Sequence, residues 1–306
     1  MASFITRARM SNVAVSMVVD SPPLLQRQAW LLLHTLAAFG APETMQVHVT
    51  ACGPLARPLR DKITTTGAQL HLAEPFASGP GRYCNKLRQL EALASCGAEH
   101  LMLCDADVAF LSDPREAAIG SKIRAKIVDI PNPAPEILAE LLKRAGFKNV
   151  GLDAQPDFDC FGRTTHRLNC NGGLYVVPAE HLPTLAPAWE RHARACLASE
   201  DTLGDKLLHS DQLAFMLAML ETGLPFDPLG VEWNFPTHLA PVNYIGHENV
   251  APKALHYHRQ MSRDGKLLPP PAKGAARAVA EFNAAHAGAR ADPGFGALCA
   301  ACYEMA

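Results

Sequence analysis

The pattern of apolar and polar positions alternates strand and helix from residue 13 onward. Residues 13–19 form an apolar run with several valines and a single Ser16, as a strand buried on both faces would. Pro22 and Pro23 follow, and residues 24–39 read as a helix. Residues 45–50 give a second strand, 55–66 a helix and 69–72 a third short strand. Residues 83–95 place Leu87, Leu90 and Leu93 at helical spacing, with Gly97 as a stop. Residues 100–104 are a fourth strand. Strands alternating with helices predict a mostly parallel sheet covered by helices on both faces.

The middle of the chain is less regular. Residues 125–130 read as a strand and 134–146 as a helix. Residues 151–168 are polar and aperiodic and read as a long loop, a feature often tied to function. Residues 174–177 form another β-branched strand. Residues 182–197 and 210–223 look helical, and the prolines at 269–271 precede an Ala-rich helix over 272–287.

Composition narrows the function classes. The 306 residues hold 28 Lys plus Arg against 30 Asp plus Glu. With no basic surplus, nucleic acid is not an expected partner, and any bound anion must be held by a few local groups. The nine cysteines are odd in number and lack a framework spacing, which favours reduced thiols in the cytoplasm. Cys299 and Cys302 form a lone CxxC, without the second pair that zinc would need. The longest apolar stretch, residues 29–39, is interrupted by His34 and falls far short of the ~20 residues of a membrane span. The opening MASFITRARM leads into an apolar run that ends at Asp20 without a cleavage site, so it reads as a strand rather than a signal peptide.

The most informative words are Asp105-Ala106-Asp107, directly after the fourth strand. Ligands of open α/β sheets collect at the carboxyl ends of strands. In extended chain, residues i and i+2 point the same way, so both carboxylates can converge on one cation. Oxygen ligands of this kind suit Mg²⁺ or Mn²⁺. The plainer alternative is a turn with Asp as a loop former.

From these residues onward the sequence resembles the GT-A fold glycosyltransferases, especially the glycogenin-like and bacterial lipopolysaccharide galactosyltransferase group. The strand, the Asp105-Ala106-Asp107 step and Asp113-Pro114 look like that family's metal motif. Lys86 heads a KLRQLEAL helix upstream. Downstream, Asn169-Cys170-Asn171-Gly172-Gly173 opens a strand, Ser210-Asp211-Gln212 opens a helix, Trp233-Asn234 marks a loop, and Leu255-His256-Tyr257-His258 resembles a terminal histidine strand. These fragments cover roughly residues 12–268 in order. The family's Gly-x-x-Lys-Pro-Trp ending is missing, which leaves the basic diphosphate contact open among Arg259, Arg263 and Lys266.

The resemblance implies a single GT-A domain over residues 1–268, with a donor half at 12–115 and an acceptor half at 116–268. Residues 269–306 would be a helical tail. It implies a metal-dependent transfer of a hexose from a UDP- or GDP-sugar to a saccharide or other hydroxyl acceptor, with retention of configuration. Mn²⁺ or Mg²⁺ would sit on Asp105, Asp107 and His256. Asp211 and Gln212 would face the sugar as catalytic residues. Donor contacts would come from Asp20, Lys86, Asp105, Asn171, Gly172, Gly173, Trp233, Asn234, His258 and Lys266. Each has a structural alternative: Lys86 as an exposed first-turn side chain, Asp20 as a cap before Pro22, Gly172 and Gly173 as a bulge, Asp211 as a partner of the helix dipole, and His256 as a core histidine.

Three rivals share parts of this pattern, one of them a sugar nucleotidyltransferase, which would show a Gly-rich, Arg-containing loop where Asp20-Ser21-Pro22-Pro23 stands. A haloacid-dehalogenase-like phosphatase also carries strand-DxD, but usually near the start of the chain and with Thr or Val where Ala109 stands. A non-catalytic nucleotide-sugar-binding protein would bind without turnover. A homo-oligomer is compatible with the sequence.

Overall fold

The computed structural model describes residues 12–40 and 45–304. The core of the sheet is β1 (Val13–Val19), buried along its length. Pro23 sits in the first turn of α1 (Pro23–Ala37), where its missing N–H costs nothing. β2 (Met45–Ala51), α2 (Arg57–Thr65) and β3 (Gln69–Leu72) follow. A 3₁₀ segment, Gly79–Leu87, runs into the short helix α3 (Arg88–Leu93). Then come β4 (His100–Cys104), β5 (Val108–Phe110), β6 (Ile123–Ile127), α4 (Pro135–Arg144), β7 (Cys170–Pro178), α5 (Leu182–Leu197), α6 (Glu200–Leu203) and α7 (Ser210–Thr222). The chain closes with β8 (Phe226–Pro228), β9 (Phe235–Pro236), β10 (Ala254–His256), α8 (Lys273–Ala285), α9 (Ala287–Arg290) and α10 (Pro293–Glu304).

The main sheet has the order β3-β2-β1-β4-β7-β6-β8. Its β1, β2, β3 and β4 run parallel, while β7 runs antiparallel to both β4 and β6. This is the expected mostly parallel α/β sheet. The period-2 alternation of β1 divides the interior. Val13, Val15, Met17 and Val19 face a layer containing α1, and Ala14 faces a layer containing α5 and α7. Helix α7 is buried on nearly all sides, which explains its almost uniformly apolar sequence.

A second sheet, β5-β10-β9, holds the chain's later part against the strand end. β10 pairs antiparallel with β5 so that His256 lies opposite Val108. The Tyr257 amide donates to the Asp107 carbonyl at 3.0 Å. The local words at 105–108 and 254–258, far apart in sequence, are thereby fixed side by side.

Several expectations are corrected. The helix expected over 83–95 is instead a 3₁₀ segment followed by a shorter α-helix. There the Asn85 side chain accepts the Phe76 amide at 2.8 Å, and Lys86 turns inward; these tertiary bonds override helix propensity. β5, β8 and β9 went unseen because two or three residues carry no period. The loop expected over 151–168 is irregular apart from an isolated bridge between Ala154 and Thr165. All nine cysteines are unpaired. No helix among the described residues is long and apolar enough to cross a membrane.

The C-terminal helices join the core. Ala275, Val279, Phe282, Phe295 and Leu298 belong to the same apolar layer as α1. The rings of Trp30 and Phe295 lie 4.7 Å apart. Gly265, at φ 80°, leaves the place of a Cβ to the Phe295 ring. Phe295→Ala is therefore expected to lower stability by about 3–5 kcal/mol, read by urea unfolding. A loss below about 0.5 kcal/mol would remove α10 from the core.

Candidate functional site

A cleft of about 670 Å³ opens at the carboxyl ends of the central strands. That is where open α/β sheets place their ligands. Asp20, at the end of β1, lines one part of it. Its carboxylate accepts the Ser21 amide at 2.8 Å and lies 3.9 Å from Arg82. Asp105 and Asp107, after β4, line the floor with Asn171, Gly172, Asp211, Gln212, His256 and His258.

Beneath this floor lies Lys86, fully enclosed. Its Nζ is 2.7 Å from Asp105 Oδ1 and 3.4 Å from Asp211 Oδ2, and it donates to the Gly172 carbonyl. Burial disfavours the ammonium, but Asp105 and Asp211 outweigh it and hold its pKa above the ordinary value. Burial pushes the Asp211 carboxyl up, opposed by Lys86. The indole of Trp189 donates to the Asp211 carbonyl at 2.8 Å, which anchors the first turn of α7.

Asp107 has different company. His256 Nε2 is 3.3 Å from its Oδ1, and His258 Nδ1 is 3.8 Å from its Oδ2. Burial raises the Asp107 pKa, but His256 and His258 prevail and hold it below the usual carboxylate range. Asp107, His256 and His258 each offer a ligand atom within 4.8 Å of the others. The other ring nitrogens, His256 Nδ1 and His258 Nε2, are buried without a hydrogen-bond partner. Two imidazoles beside a carboxylate suit a divalent first-row ion.

The glycines explain the close packing. A Cβ on Gly173 would sit 2.5 Å from both Asn234 Oδ1 and His256 Nδ1. One on Gly172 would sit 3.0 Å from Lys86 Nζ and 3.2 Å from Asp211 Oδ2. Asn171 ties this backbone to its surroundings: its side-chain oxygen accepts the Gly173 amide at 2.9 Å and the Asn234 side chain at 3.1 Å. Its amide donates to Asp129 at 2.8 Å.

The structure thus brings Asp20, Asp105, Asp107, Asn171, Gly172, Asp211, Gln212, His256 and His258 to one cleft. Asn234 and Gly173 lie directly behind it. Three expectations change. Lys86, expected at the donor or else exposed on a first turn, lies beneath the cleft floor, because two carboxylates draw it inside. Trp233 is 4% exposed and belongs to the apolar layer, since its ring is worth more buried than wet. Lys266 pairs with Asp264 at 2.9 Å on a solvent-facing turn, away from the cleft wall. Of the three basic candidates, Arg259 lines the cleft. Asp129, Asn132, His209 and His238 also line it and were missed. Asp129 follows the end of β6, so the strand-end rule could have found it; the buried Lys126 ammonium pairs with it. Nothing in the local sequence marks His238.

No protein-family model matches the sequence, and no curated protein matches it either. Solved structures do match the fold. Mouse xyloside xylosyltransferase 1, in its apo form, superposes with a TM-score of 0.50 at 13% identity, over 81% of this chain and 98% of that one. The galactosyltransferase LgtC, solved with donor and acceptor sugar analogues, gives 0.53 at 15% identity, over 89% and 95%. An active-site mutant of LgtC gives 0.51 at 14% identity. This chain has the GT-A fold. In GT-A terms, the floor of the cleft is the segment between β4 and β5, closed from behind by β7 and β10.

Because Gly173 has no room for a side chain, Gly173→Ala is expected to cost about 1–3 kcal/mol. Thermal unfolding reads it. An unshifted melting temperature would mean that Asn234 and His256 yield freely.

Proposed function

We propose that this chain is a metal-dependent glycosyltransferase that moves a hexose from a nucleotide diphosphate sugar to a saccharide-like hydroxyl acceptor, with retention of configuration. The observation that carries the reading is the convergence of Asp107 and His256, and of Asp105, Lys86 and Asp211, on one cleft of a GT-A fold. The xylosyl- and galactosyltransferases of the same fold support it. The catalytic unit is residues 1–268, with the later helices as its structural buttress. The unpaired thiols favour a reducing compartment such as the cytoplasm.

The chain's own groups divide the work. Asp20, with Arg82 beside it, would receive the base or ribose of the nucleotide. Arg259 offers its guanidinium at the cleft for the diphosphate. An ion held by Asp107 and His256, Mn²⁺ or Mg²⁺, would supply Lewis-acid charge at the leaving diphosphate. Asn171 and Gly172 present backbone and amide to the donor sugar. Asp211, at the first turn of α7 and beside Gln212, faces the same space. Its carboxylate can position sugar hydroxyls or stabilise positive charge as the bond to the leaving phosphate breaks. Lys86 beneath it holds Asp211 and Asp105 in place.

A thermal-shift panel of nucleoside diphosphates, with and without Mn²⁺, identifies the donor class: the right nucleotide raises the melting temperature by mass action. Assays with the matching nucleotide sugars should then show transfer or slow donor hydrolysis. Binding without either reaction would make the chain a nucleotide-sugar-binding protein. Asp107→Ala is expected to abolish turnover in a folded protein, and full activity in excess chelator would sink the metal requirement. Asp211→Asn should lower kcat roughly a hundredfold or more with little change in nucleotide affinity. If nucleotide binding falls and kcat stays, Asp211 belongs to the nucleotide pocket instead.

A further inference from the structure

The two aspartates after β4 stand one residue apart and face different partners. Asp105 Oδ1 touches the Lys86 ammonium at 2.7 Å. Asp105 Oδ2 lies 3.8 Å from the point where a Gly172 Cβ would sit, and Lys86 Nζ and Asp211 Oδ2 flank that same point. One oxygen of Asp105 is thus committed to the Lys86 ammonium, while its carboxylate stays at the cleft wall. A buried ammonium in contact with a carboxylate satisfies its charge and repels a dication from it. Among the described residues, Asp105 is not in the group whose ligand atoms close to within 4.8 Å; Asp107, His256 and His258 are.

His258 reaches that group by an unusual backbone. It lies just past β10 at φ 49°, in the left-handed region. Such conformations persist where the surroundings hold them, and they gather at functional sites. Here the Gln28 side chain, from α1, donates to the His258 carbonyl at 2.5 Å. The His258 ring stacks on His256 at 3.8 Å, with His238 edge-on behind it at 4.0 Å. The fold spends a strained residue and two supporting side chains to bring a second imidazole to Asp107.

We propose that the chain holds its divalent ion through Asp107, His256 and His258, with Asp105 serving as the counterion of Lys86 rather than as a ligand. The inference rests on the metal part of the reading above and does not require sugar transfer. A set with two nitrogens and one carboxylate favours Mn²⁺ or Co²⁺ over Mg²⁺, which prefers oxygen ligands.

The test uses the full-length protein and Mn²⁺ alone, with no nucleotide. Pulsed electron paramagnetic resonance of the bound ion should show two coupled imidazole nitrogens; one nitrogen or none overturns the ligand set. That reading needs no variant, so it survives any folding defect. In equilibrium titration, His258→Ala should weaken Mn²⁺ about tenfold to a hundredfold, at least the scale seen when a ligand's supporting residue is lost. Asp105→Asn should keep Mn²⁺ affinity within a few-fold of the wild type. An Asp105→Asn protein that loses Mn²⁺ as completely as Asp107→Asn, with both folded by circular dichroism, returns Asp105 to the ion and overturns the proposal. A protein that binds Mn²⁺ through two nitrogens but turns over no nucleotide sugar leaves this ligand set standing and ends the transferase reading.

Discussion

Lys86 is an ammonium cut off from water, and several elements are arranged around that fact. Burying a charge costs several kcal/mol unless opposite charge and hydrogen-bonding groups surround it. Here Asp105 comes from the end of β4, Asp211 from the first turn of α7 and the Gly172 carbonyl from β7. The lysine itself sits near the end of the 3₁₀ segment. One ammonium therefore fixes the mutual position of two strands and two helical segments. It also favours glycine at 172, because a Cβ there would press on both Lys86 and Asp211.

The second organising feature is the pairing of β5 with β10. A strand of three residues is weakly determined by its own sequence. Its register is held here by buried neighbours: Ala254, Leu255 and Phe110 all lie in the same apolar layer. A slip of one residue would send His256 to the opposite face and destroy the site. The Pro228–Phe235 region supplies the backing. Asn234, at φ 60°, reaches Asn171 and fills the space behind Gly173.

Much of this was legible in the sequence because it rests on local words. A valine-rich run, an apolar strand ending in Asp105-Ala106-Asp107, and paired glycines before a β-branched run each carry their geometry within a few residues. What was not legible depends on distant partners. The inward turn of Lys86 is set by Asp105 and by Asp211, the latter more than a hundred residues on. Trp233 stands beside a site residue in sequence, but its apolar ring follows the core. His238 reaches the cleft only through tertiary packing against His258. The split between Asp105 and Asp107 was equally hidden, since an extended chain would point both the same way, whereas residues 106–107 form a turn in which the Val108 amide donates to the Asp105 carbonyl at 3.3 Å.

The contact between Trp30 and Phe295 has a consequence for the making of the protein. Trp30 lies on the first helix, and its covering ring comes from the last. Native contacts of that sequence separation are slow to form. During synthesis the first helix emerges long before Phe295 exists, so the part of its apolar face that Phe295 covers stays open for most of translation. At roughly 5–20 residues per second, that interval is on the order of tens of seconds. The amino-terminal half is therefore expected to lean on chaperones, and prematurely terminated chains should be cleared as aggregation-prone fragments rather than persist as smaller folded proteins.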